Sequence, residues 1–491
     1  MQRFDRRTFL KQTLLGASSL SLLRAVAWPA NSSAPTKARV PGANGDIRYS
    51  VVGFNGRGQS HLEGFAKVKG TRLVALCDVD SDVLGREVQK CRDRGQQVEG
   101  YSDIRKLLEN QDIDVVSIAT PNHWHALGTV WAVQAGRDVY VEKPVSHNIW
   151  EGRQMVEAAR KYNRIVQAGM QCRSSTGIAE AIAFIQAGKI GKITCARGLC
   201  YKRRPSIGKV DGPQAVPPTI DYDLWCGPAP KAPLMRKRLH YDWHWVWPTG
   251  NGDLGNQGVH QMDVARWALG QKELAPRVLS IGGRFGYIDD GETPNTFVVF
   301  HDYPGAPLIF EVRGLPSSED SKKMDTYRGV EIGVVVDCEG GSLVIPNYTS
   351  GTVYDRQGKE IQRFQGADSH FENFITAVRD RNPAGLTAPV REGHVSSALC
   401  HAGNISYQLG KTLSPEQSRY IVHKANSEFA DAYSRMRAHL EANKVVIHEL
   451  HPTLGAALRI DPKKERFKGN HKANTMLTRN YRKPFVVTEQ T

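Results

Sequence analysis

Residues 47–58, which read IRYSVVGFNGRG, decide the fold of this chain. A run rich in β-branched residues predicts a strand up to Val52, and a glycine turn ending at Gly58 leads into a helix predicted over 59–68. In that order, the N–H groups of the turn and the helix N-terminus face one point, where they can bind phosphate. Asn55 stands where G-x-G-x-x-G has its second glycine, and Asn tolerates left-handed backbone angles. Alone, the turn also fits an ordinary strand-to-helix connection.

A second predicted strand, 72–77, supports a dinucleotide site. It ends at Asp78, 20 residues after Gly58, where a carboxylate accepts ribose hydroxyls in dinucleotide-binding folds. The negative charge of this carboxylate repels a 2′-phosphate, so NAD is expected rather than NADP. The alternative interpretation of Asp78 is a simple turn residue at the strand end.

The alternation of strands and helices continues along the chain. A third strand, 113–119, delivers Thr120-Pro121-Asn122 at its carboxyl end, the edge at which open α/β sheets bind ligands. A helix over 124–135 and a strand over 138–141 then lead into Glu142-Lys143-Pro144. This order predicts a doubly wound parallel sheet.

Three of these motifs together resemble the Gfo/Idh/MocA family of NAD(P)-dependent oxidoreductases: the glycine turn, Thr120-Pro121-Asn122 with His125, and Glu142-Lys143-Pro144. The resemblance covers about residues 46–410. It implies an α/β Rossmann domain followed by an α+β domain, an open and mainly antiparallel sheet that forms a sugar site beneath the nicotinamide. His123 is interpreted as a surface or substrate-rim residue. The cofactor is expected to contact Gly53, Asn55, Gly56, Arg57, Gly58, Asp78, Thr120, Pro121, Asn122, His125, Glu142 and Lys143.

A catalytic segment is predicted at 252–263, which resembles the D-x-x-x-H segment of the family. His260 falls at the acid/base histidine, whereas Asn256 replaces the aspartate with an amide that cannot take a proton. Oxidising a secondary alcohol needs a base for the hydroxyl proton, and histidine changes charge near neutral pH. A lysine can stabilise the alkoxide, or act as the base if burial lowers its pKa. We therefore predict Lys143, His260 and Asn256 as the catalytic residues.

Aromatic residues indicate the substrate class. Three tryptophans alternate within 241–247 and would share one face if this run were a strand. Rings beside Asp and His suit a carbohydrate, although an inter-sheet core cluster is an equal interpretation. The basic run 201–205 fits either an acidic sugar or a solvated loop. The predicted substrate contacts are Arg173, Tyr201, Trp243, His244 and Trp245, and no metal site is predicted.

Composition excludes several other classes. The 491 residues have a mean hydropathy of −0.43, and no apolar run approaches the length of a membrane span. The formal charge is +15, but its basic residues are spread thinly, so neither nucleic acid nor membrane is an expected partner. The eight cysteines form no CxxC pair, and spacing alone selects no disulfide.

The N-terminus resembles a twin-arginine export signal. Arg6-Arg7 precede Phe9-Leu10-Lys11 and a mildly apolar stretch, for which an amphipathic helix is the alternative. We predict a signal at 1–30, a linker at 31–45, an NAD-binding domain at 46–168, a substrate domain at 169–410 and a helical and irregular extension at 411–491.

Export constrains the predicted chemistry, because no free nicotinamide pool exists outside the cytoplasm. The NAD should stay bound and be recycled by an enzyme that oxidises a carbohydrate or polyol at a secondary alcohol. The alternatives are an NAD-dependent glycoside hydrolase or lyase, acting by transient oxidation, elimination and re-reduction, and a non-catalytic, nucleotide-bound sugar-binding protein. The resemblance also implies a homo-oligomer, a dimer or tetramer.

Overall fold

The computed structural model describes residues 45–446 and 451–490. The predicted export signal and residues 31–44 of the predicted linker lie outside the described residues.

A six-stranded parallel sheet forms the first domain, in the strand order β3-β2-β1-β4-β5-β6. β2 and β3 are therefore added on one side of β1, and the chain then crosses to the other side of β1 to form β4, β5 and β6. Between β1 and β4 the loops at the carboxyl edge of the sheet diverge and leave a crevice. The doubly wound sheet predicted from the sequence is confirmed. Its elements are β1 (Ile47–Val52), α1 (Arg57–Ala66), β2 (Thr71–Cys77), α2 (Ser81–Asp93), β3 (Glu99–Tyr101), α3 (Ile104–Glu109), β4 (Val115–Ile118), α4 (Asn122–Gln134), β5 (Asp138–Val141), α5 (Ile149–Lys161) and β6 (Val166–Ala168).

The second domain is built on a large mixed sheet, twelve-stranded within the described residues. β7 and β10 pair in parallel, and the other pairs are antiparallel, so the predicted mainly antiparallel sheet is confirmed. Its elements up to residue 408 are α6 (Thr176–Gln186), β7 (Ile193–Tyr201), α7 (Tyr222–Cys226), α8 (Leu239–Asp242), α9 (Gly258–Ala268), β8 (Arg277–Gly283), β9 (Thr296–His301), β10 (Leu308–Arg313), β11 (Ile332–Cys338), β12 (Gly341–Ile345), β13 (Ser350–Asp355), β14 (Glu360–Gln365), α10 (His370–Asp380) and α11 (Val390–Gln408).

The later residues form β15 (Lys411–Thr412), α12 (Pro415–Ala425), α13 (Ser427–Ala442), β16 (Thr453–Leu454), β17 (Leu458–Asp461), β18 (Arg466–Phe467) and α14 (His471–Thr475). The helical part of the predicted extension forms two helices, α12 and α13, which are separated at Asn426. Its side chain accepts hydrogen bonds from the amides of Glu428 and Phe429 and so begins a new helix.

Helices cover both faces of the central strands of the large sheet. α9 and α11 contact one face, and α13 contacts the other, where Phe429 stacks on Phe300 with ring centroids 5.5 Å apart. Every residue of β9 and β10 is consequently buried. This packing makes the sheet a rigid support for the segments that emerge from its edges.

The residues after 470 return to the NAD-binding domain. The Phe485 ring contacts Trp124 edge-to-face at 5.6 Å, and the Trp150 amide donates to the Leu477 carbonyl at 2.9 Å. Near the end of the described chain, the Gln490 amide donates to Gln154 Oε1 at 2.6 Å. The extension thus packs on α4 and α5, two helices that flank the crevice.

A buried carboxylate, Glu465, fastens this extension. It forms an ion pair with Arg153 of α5, and both its oxygens lie 2.9 Å from His394 Nε2. Burial alone would raise the pKa of Glu465, but the charge and hydrogen bonds of His394 and Arg153 outweigh burial and lower it to about 2. The ionised carboxylate of Glu465 is therefore more favourable in the folded chain than in water, and it stabilises the folded state.

We expect Glu465→Gln to lower the free energy of unfolding by about 3 kcal/mol at pH 7, because it removes the closer carboxylate partner of Arg153 and leaves Glu157, at 3.7 Å. Since the folded pKa is depressed, the contribution is complete above pH 4.5 and is lost as the pH falls to about 2. Denaturant unfolding of both proteins across that window measures the difference. The exposed Glu489→Gln is the matched control, and equal stabilities of all three proteins would contradict the expectation.

Within the described residues, no helix is long and apolar enough to cross a bilayer. All eight cysteines are buried, and each is free.

Candidate active site

A cavity of about 380 Å³ lies at the carboxyl edge of the parallel sheet. One wall comes from the loops that follow β1, β2, β4 and β5. The opposite wall comes from the second domain, through the α7 and α8 segments and through Asn256 and Gln257, just before α9. Both domains are thus needed to enclose a ligand.

The glycine turn has the geometry of a phosphate cradle. Gly53 has a φ of +78°, and a Cβ there would lie 2.9 Å from the Thr120 backbone. A Cβ on Gly58 would lie 2.1 Å from the Gly53 carbonyl oxygen, so only glycine permits this approach. Beside Gly56 there is open space, and within the described residues the amides of Asn55 and Gly56 donate no hydrogen bond. Free amides at a helix N-terminus facing open space fit a pyrophosphate.

Asp78 lies on the cavity wall at the end of β2, as the sequence predicted for a ribose ligand. Its Oδ2 accepts from the Phe54 amide at 3.1 Å and its Oδ1 from the Asp80 amide at 3.0 Å. Burial raises the pKa of Asp78, and these two amides partly offset that rise. Each oxygen keeps a lone pair for a ribose hydroxyl. These two acceptor oxygens therefore fit the ribose hydroxyls of the adenosine half of NAD.

Thr120, Pro121, Asn122 and His125 also line the cavity. The buried Thr120 hydroxyl has no partner in the described part of the chain, which leaves a polar group available to a ligand. His125 lies between two loops, with Nδ1 2.6 Å from the Pro144 carbonyl and Nε2 2.8 Å from that of Thr120. His125 thus ties together the loops after β4 and β5.

His123 is not the surface or rim residue that the sequence suggested. It is fully buried, and its Nε2 lies 2.9 Å from the Trp225 carbonyl. Because α4 packs against α7 here, the ring contacts Trp225 and joins the two domains. Burial lowers its pKa to about 3, so it is neutral.

Glu142 is buried and saturated by protein partners. Its Oε1 accepts from Arg57 Nε at 2.8 Å and lies 3.1 Å from His61 Nε2, while Oε2 accepts from the Lys143 amide at 3.1 Å. Burial favours the neutral acid, but the charge of Arg57 and the hydrogen bond from His61 outweigh it and hold the pKa of Glu142 well below its usual range. Glu142 therefore orients the loop that carries Lys143, and Arg57 neutralises it.

Lys143 and Asn256, from different domains, meet on the cavity wall. Lys143 Nζ donates to the Asn256 carbonyl oxygen at 3.0 Å and to Asn256 Oδ1 at 3.2 Å. Burial lowers the pKa of Lys143, the charge of Glu142 opposes this, and the charges of Arg57 and Lys202 add to it. The contact unites two of the three predicted catalytic residues and leaves the lysine easier to deprotonate.

His260, the third, lies in the first turn of α9 and is buried, but does not line the cavity. Its ring centroid lies 4.9 Å from that of Tyr348, and its Nδ1 is unpartnered among the described residues. Burial and then the charge of Lys143 lower its pKa to about 3. The imidazole is therefore neutral and stands behind Lys143 rather than in the cavity.

Of the predicted substrate contacts, Trp243 and His244 line the cavity, and their rings stack at 3.6 Å. Arg173, Tyr201 and Trp245 do not line it. Each of these three has a protein partner: Arg173 pairs with Asp263 at 2.8 Å, the Tyr201 hydroxyl donates to Glu311 at 2.7 Å, and Trp245 lies under the Arg204 guanidinium at 5.2 Å.

The alternating tryptophans do not form a strand. Residues 239–245 fold into α8 and a short 3₁₀ helix, Trp243–Trp245. The chain then turns back, with the Gly250 amide donating to Val246 and the Gly252 amide to His244, so these backbone groups are satisfied locally. Alternation therefore does not place the rings on one face.

Sequence reasoning did not single out Trp225, His240 or Gln257, which also line the cavity. Only Gln257 had a signal, since it follows Asn256 directly. His240 reaches the end of β2 and lies 2.9 Å from Asp80, a contact across 160 positions that no local pattern predicts. Among residues 45–446 and 451–490, no group of three or more His, Cys, Asp and Glu side chains is arranged to hold a metal ion.

Two family models match the chain. Residues 47–170 match GFO_IDH_MocA, described as the NAD-binding Rossmann fold of an oxidoreductase family, and residues 190–293 match its C-terminal alpha/beta domain. The chain belongs to the Gfo/Idh/MocA family. The glycine turn and Asp78 are therefore parts of the NAD-binding domain of a Gfo/Idh/MocA protein.

Relatives of this Gfo/Idh/MocA protein carry different activities. A glycosyl hydrolase family 109 protein 2 of Shewanella sp. (strain ANA-3) is 30% identical over 176 residues, 33% of this chain and 39% of that protein. An inositol 2-dehydrogenase of Salmonella typhimurium is 28% identical over 180 residues, 36% and 52% of the two chains. The match thus spans about half or less of these relatives.

Among solved structures, the WlbA dehydrogenase of Bordetella pertussis, in complex with NADH and UDP-GlcNAcA, superposes with a TM-score of 0.53 at 19% identity. The match covers 73% of this chain and 95% of that one. At this identity the likeness supports the two-domain fold alone.

Proposed function

We propose that this protein is an NAD-dependent oxidoreductase that transfers hydride at a secondary alcohol carbon of a carbohydrate or polyol. The observation that carries the proposal is the contact of Lys143 with Asn256 on the wall of the cavity that begins at the glycine turn. Similarity to an inositol 2-dehydrogenase over 180 residues supports a polyol-type substrate.

Lys143 is suited to hold the hydroxyl proton. A neutral amine has two hydrogens and one lone pair, and the two Asn256 oxygens, at 3.0 and 3.2 Å, accept both hydrogens. The lone pair is then left for the substrate hydroxyl. After proton transfer, the ammonium keeps both bonds to Asn256 and directs its new N–H at the alkoxide oxygen, which it stabilises.

The surrounding residues position this step. NAD held by the glycine turn and Asp78 would supply the hydride acceptor, and on reversal the hydride donor, for the substrate carbon. Glu142, held by Arg57 and His61, fixes the backbone of Lys143, and the stacked rings of Trp243 and His244 offer an apolar wall to a sugar. His260 is neutral and buried behind the wall, so it adds no positive charge beside Lys143.

A second candidate function is glycoside cleavage by transient oxidation, elimination and re-reduction, favoured by the similarity to a glycosyl hydrolase family 109 protein. The same Lys143 would serve the oxidation, and elimination would then need a base on the cavity wall to remove the proton next to the new carbonyl. Release of an aglycone from a glycoside without net change in NADH would select this function. Keto sugar or polyol as the product would select net oxidoreduction.

We further propose that the protein is exported through the Arg6-Arg7 signal and retains its cofactor through each cycle. The enclosure of the cavity by both domains supports slow cofactor release. A homo-oligomer is proposed from family membership. Because α13 covers one face of the central strands of the large sheet, we expect the interface between subunits to lie on another surface. Analytical ultracentrifugation would give the number of subunits.

The retained cofactor is the first property to measure. We expect the purified full-length protein to release stoichiometric NAD(H) on heat denaturation, and little on dialysis. Mass spectrometry and absorbance of the released small molecules give identity and stoichiometry. An empty protein that reduces added NAD with a sugar would show an ordinary dehydrogenase and would contradict cofactor retention.

A further inference from the structure

Four lysine and arginine side chains line the cavity, and carboxylates neutralise two of them. Arg57 Nε lies 2.8 Å from Glu142. Arg204 is bidentate to Asp253, with Nε and the terminal nitrogen 2.8 and 2.7 Å from its two oxygens. The charges of both guanidinium groups are therefore neutralised within the protein, and Arg204 also has both of its contacting nitrogens occupied.

The other two, Lys143 and Lys202, have amide partners instead. Lys143 Nζ donates to Asn256 Oδ1 at 3.2 Å. Lys202 Nζ donates to Oε1 of Gln257, the residue after Asn256, at 3.5 Å. Within residues 45–446 and 451–490, neither ammonium forms an ion pair with a carboxylate. Two lysines that lack a carboxylate partner in the described chain are thus anchored on adjacent residues of the segment before α9.

The charge of Glu142 acts on Lys143 but is shared with Arg57, its ion-pair partner. His244 on the cavity wall has its pKa lowered to about 3 by burial and by the charges of Lys143 and Arg204, so it is neutral. Lys143 and Lys202 line the same cavity and donate to adjacent residues of the segment before α9, so they can act on the same ligand. A cavity wall with two lysines that lack a carboxylate partner among the described residues favours an anionic ligand.

We propose that the substrate carries a carboxylate, as in a uronic or aldonic acid, which binds Lys202 while the reacting hydroxyl lies at Lys143. This inference rests on the proposed function and names its substrate class. A carboxylate completes Lys202 with a charge-assisted hydrogen bond and leaves Lys143 free for the hydroxyl. A phosphate is less suited, because both guanidinium groups, which would bind it bidentately, are already paired.

The experiment compares matched sugars that differ at C6: glucuronate with glucose and galacturonate with galactose, with glucose 6-phosphate as a third arm. Turnover is measured on the NAD-loaded protein, and binding by titration calorimetry. We expect kcat/KM and affinity to favour the uronates by about 10- to 100-fold, the range of a hydrogen bond to a charged group. We expect Lys202→Gln to raise KM for uronates by that factor, with little change in kcat and the same NAD content.

Arg203→Gln is the matched control, since it removes an equal charge from the next residue, which is exposed and does not line the cavity. It should keep the uronate preference. Equal use of glucose and glucuronate, a preference for glucose 6-phosphate, or an unchanged preference in Lys202→Gln would overturn the inference. Uronate binding without turnover would support it while contradicting the proposed function, and binding of no sugar would overturn both.

Discussion

Lys143→Met is expected to lower kcat by about 10³-fold while the protein still carries NAD(H). Methionine has a similar length but can neither hold the hydroxyl proton nor stabilise the alkoxide, and general-base and electrostatic contributions of this kind reach that size. The glycine turn and Asp78, which are expected to hold the cofactor, are unchanged. Single-turnover reduction of bound NAD by substrate measures the step, and heat-released NAD(H) measures occupancy. A kcat within tenfold of the wild type would contradict the role of Lys143.

Asn256→Asp tests which group takes the proton. A carboxylate beside the ammonium raises the pKa of Lys143, so the acidic limb of the kcat profile should move about one to two pH units higher. If His260 took the proton directly from the substrate, the limb would stay in place or follow His260→Gln instead. The profile therefore separates the two candidates without relying on loss of activity.

Gly58→Ala is expected to abolish stoichiometric NAD binding and to lower the free energy of unfolding by about 3 kcal/mol. The added Cβ would lie 2.1 Å from the Gly53 carbonyl oxygen and 2.9 Å from the Phe54 Cβ, so β1 and α1 must move apart. That movement opens the turn in which the amides converge. Heat-released NAD(H) and thermal unfolding measure the two effects.

Two other glycines provide matched controls. Gly85 lies in α2 with open space around its Cβ direction, so Gly85→Ala should stabilise the protein by about 1 kcal/mol and leave NAD content unchanged. Gly56→Ala also meets no protein atom, and its φ of −174° suits any residue. We expect it to fold normally but to bind less NAD, because its methyl group enters the space assigned to the pyrophosphate. Full NAD content in Gly58→Ala would rule out the turn as the cradle.

Local patterns predicted the first domain well because its strands are short apolar runs between clear turns. β1 and β5 have the predicted bounds, 47–52 and 138–141. β7 was not predicted, since Arg197 and Gly198 interrupt its pattern. Arg197 is buried there and pairs with Glu428, 231 positions later. A strand that depends on so distant a charge gives no local signal.

The same distinction applies to the site. Lys143 and Asn256 could be predicted because each lies in a recognisable short motif, although they meet across 113 positions. Arg173, by contrast, was predicted to contact the substrate, but it pairs with Asp263, 90 positions away. Charged residues near a site are ambiguous in sequence, because a partner within the protein and a ligand use the same hydrogen bonds.

The return of the later residues to the NAD-binding domain affects when that domain is completed during synthesis. Its own residues end near 170, but the Leu477 contact with Trp150 and the Phe485 contact with Trp124 come roughly 300 residues later. On the ribosome, the parallel sheet can form early. The apolar surface of α4 and α5 stays exposed until the later residues are synthesised and cover it. Cofactor capture should therefore be a post-translational event, and chaperone demand should be highest for nascent chains that have passed residue 170 but not yet residue 485.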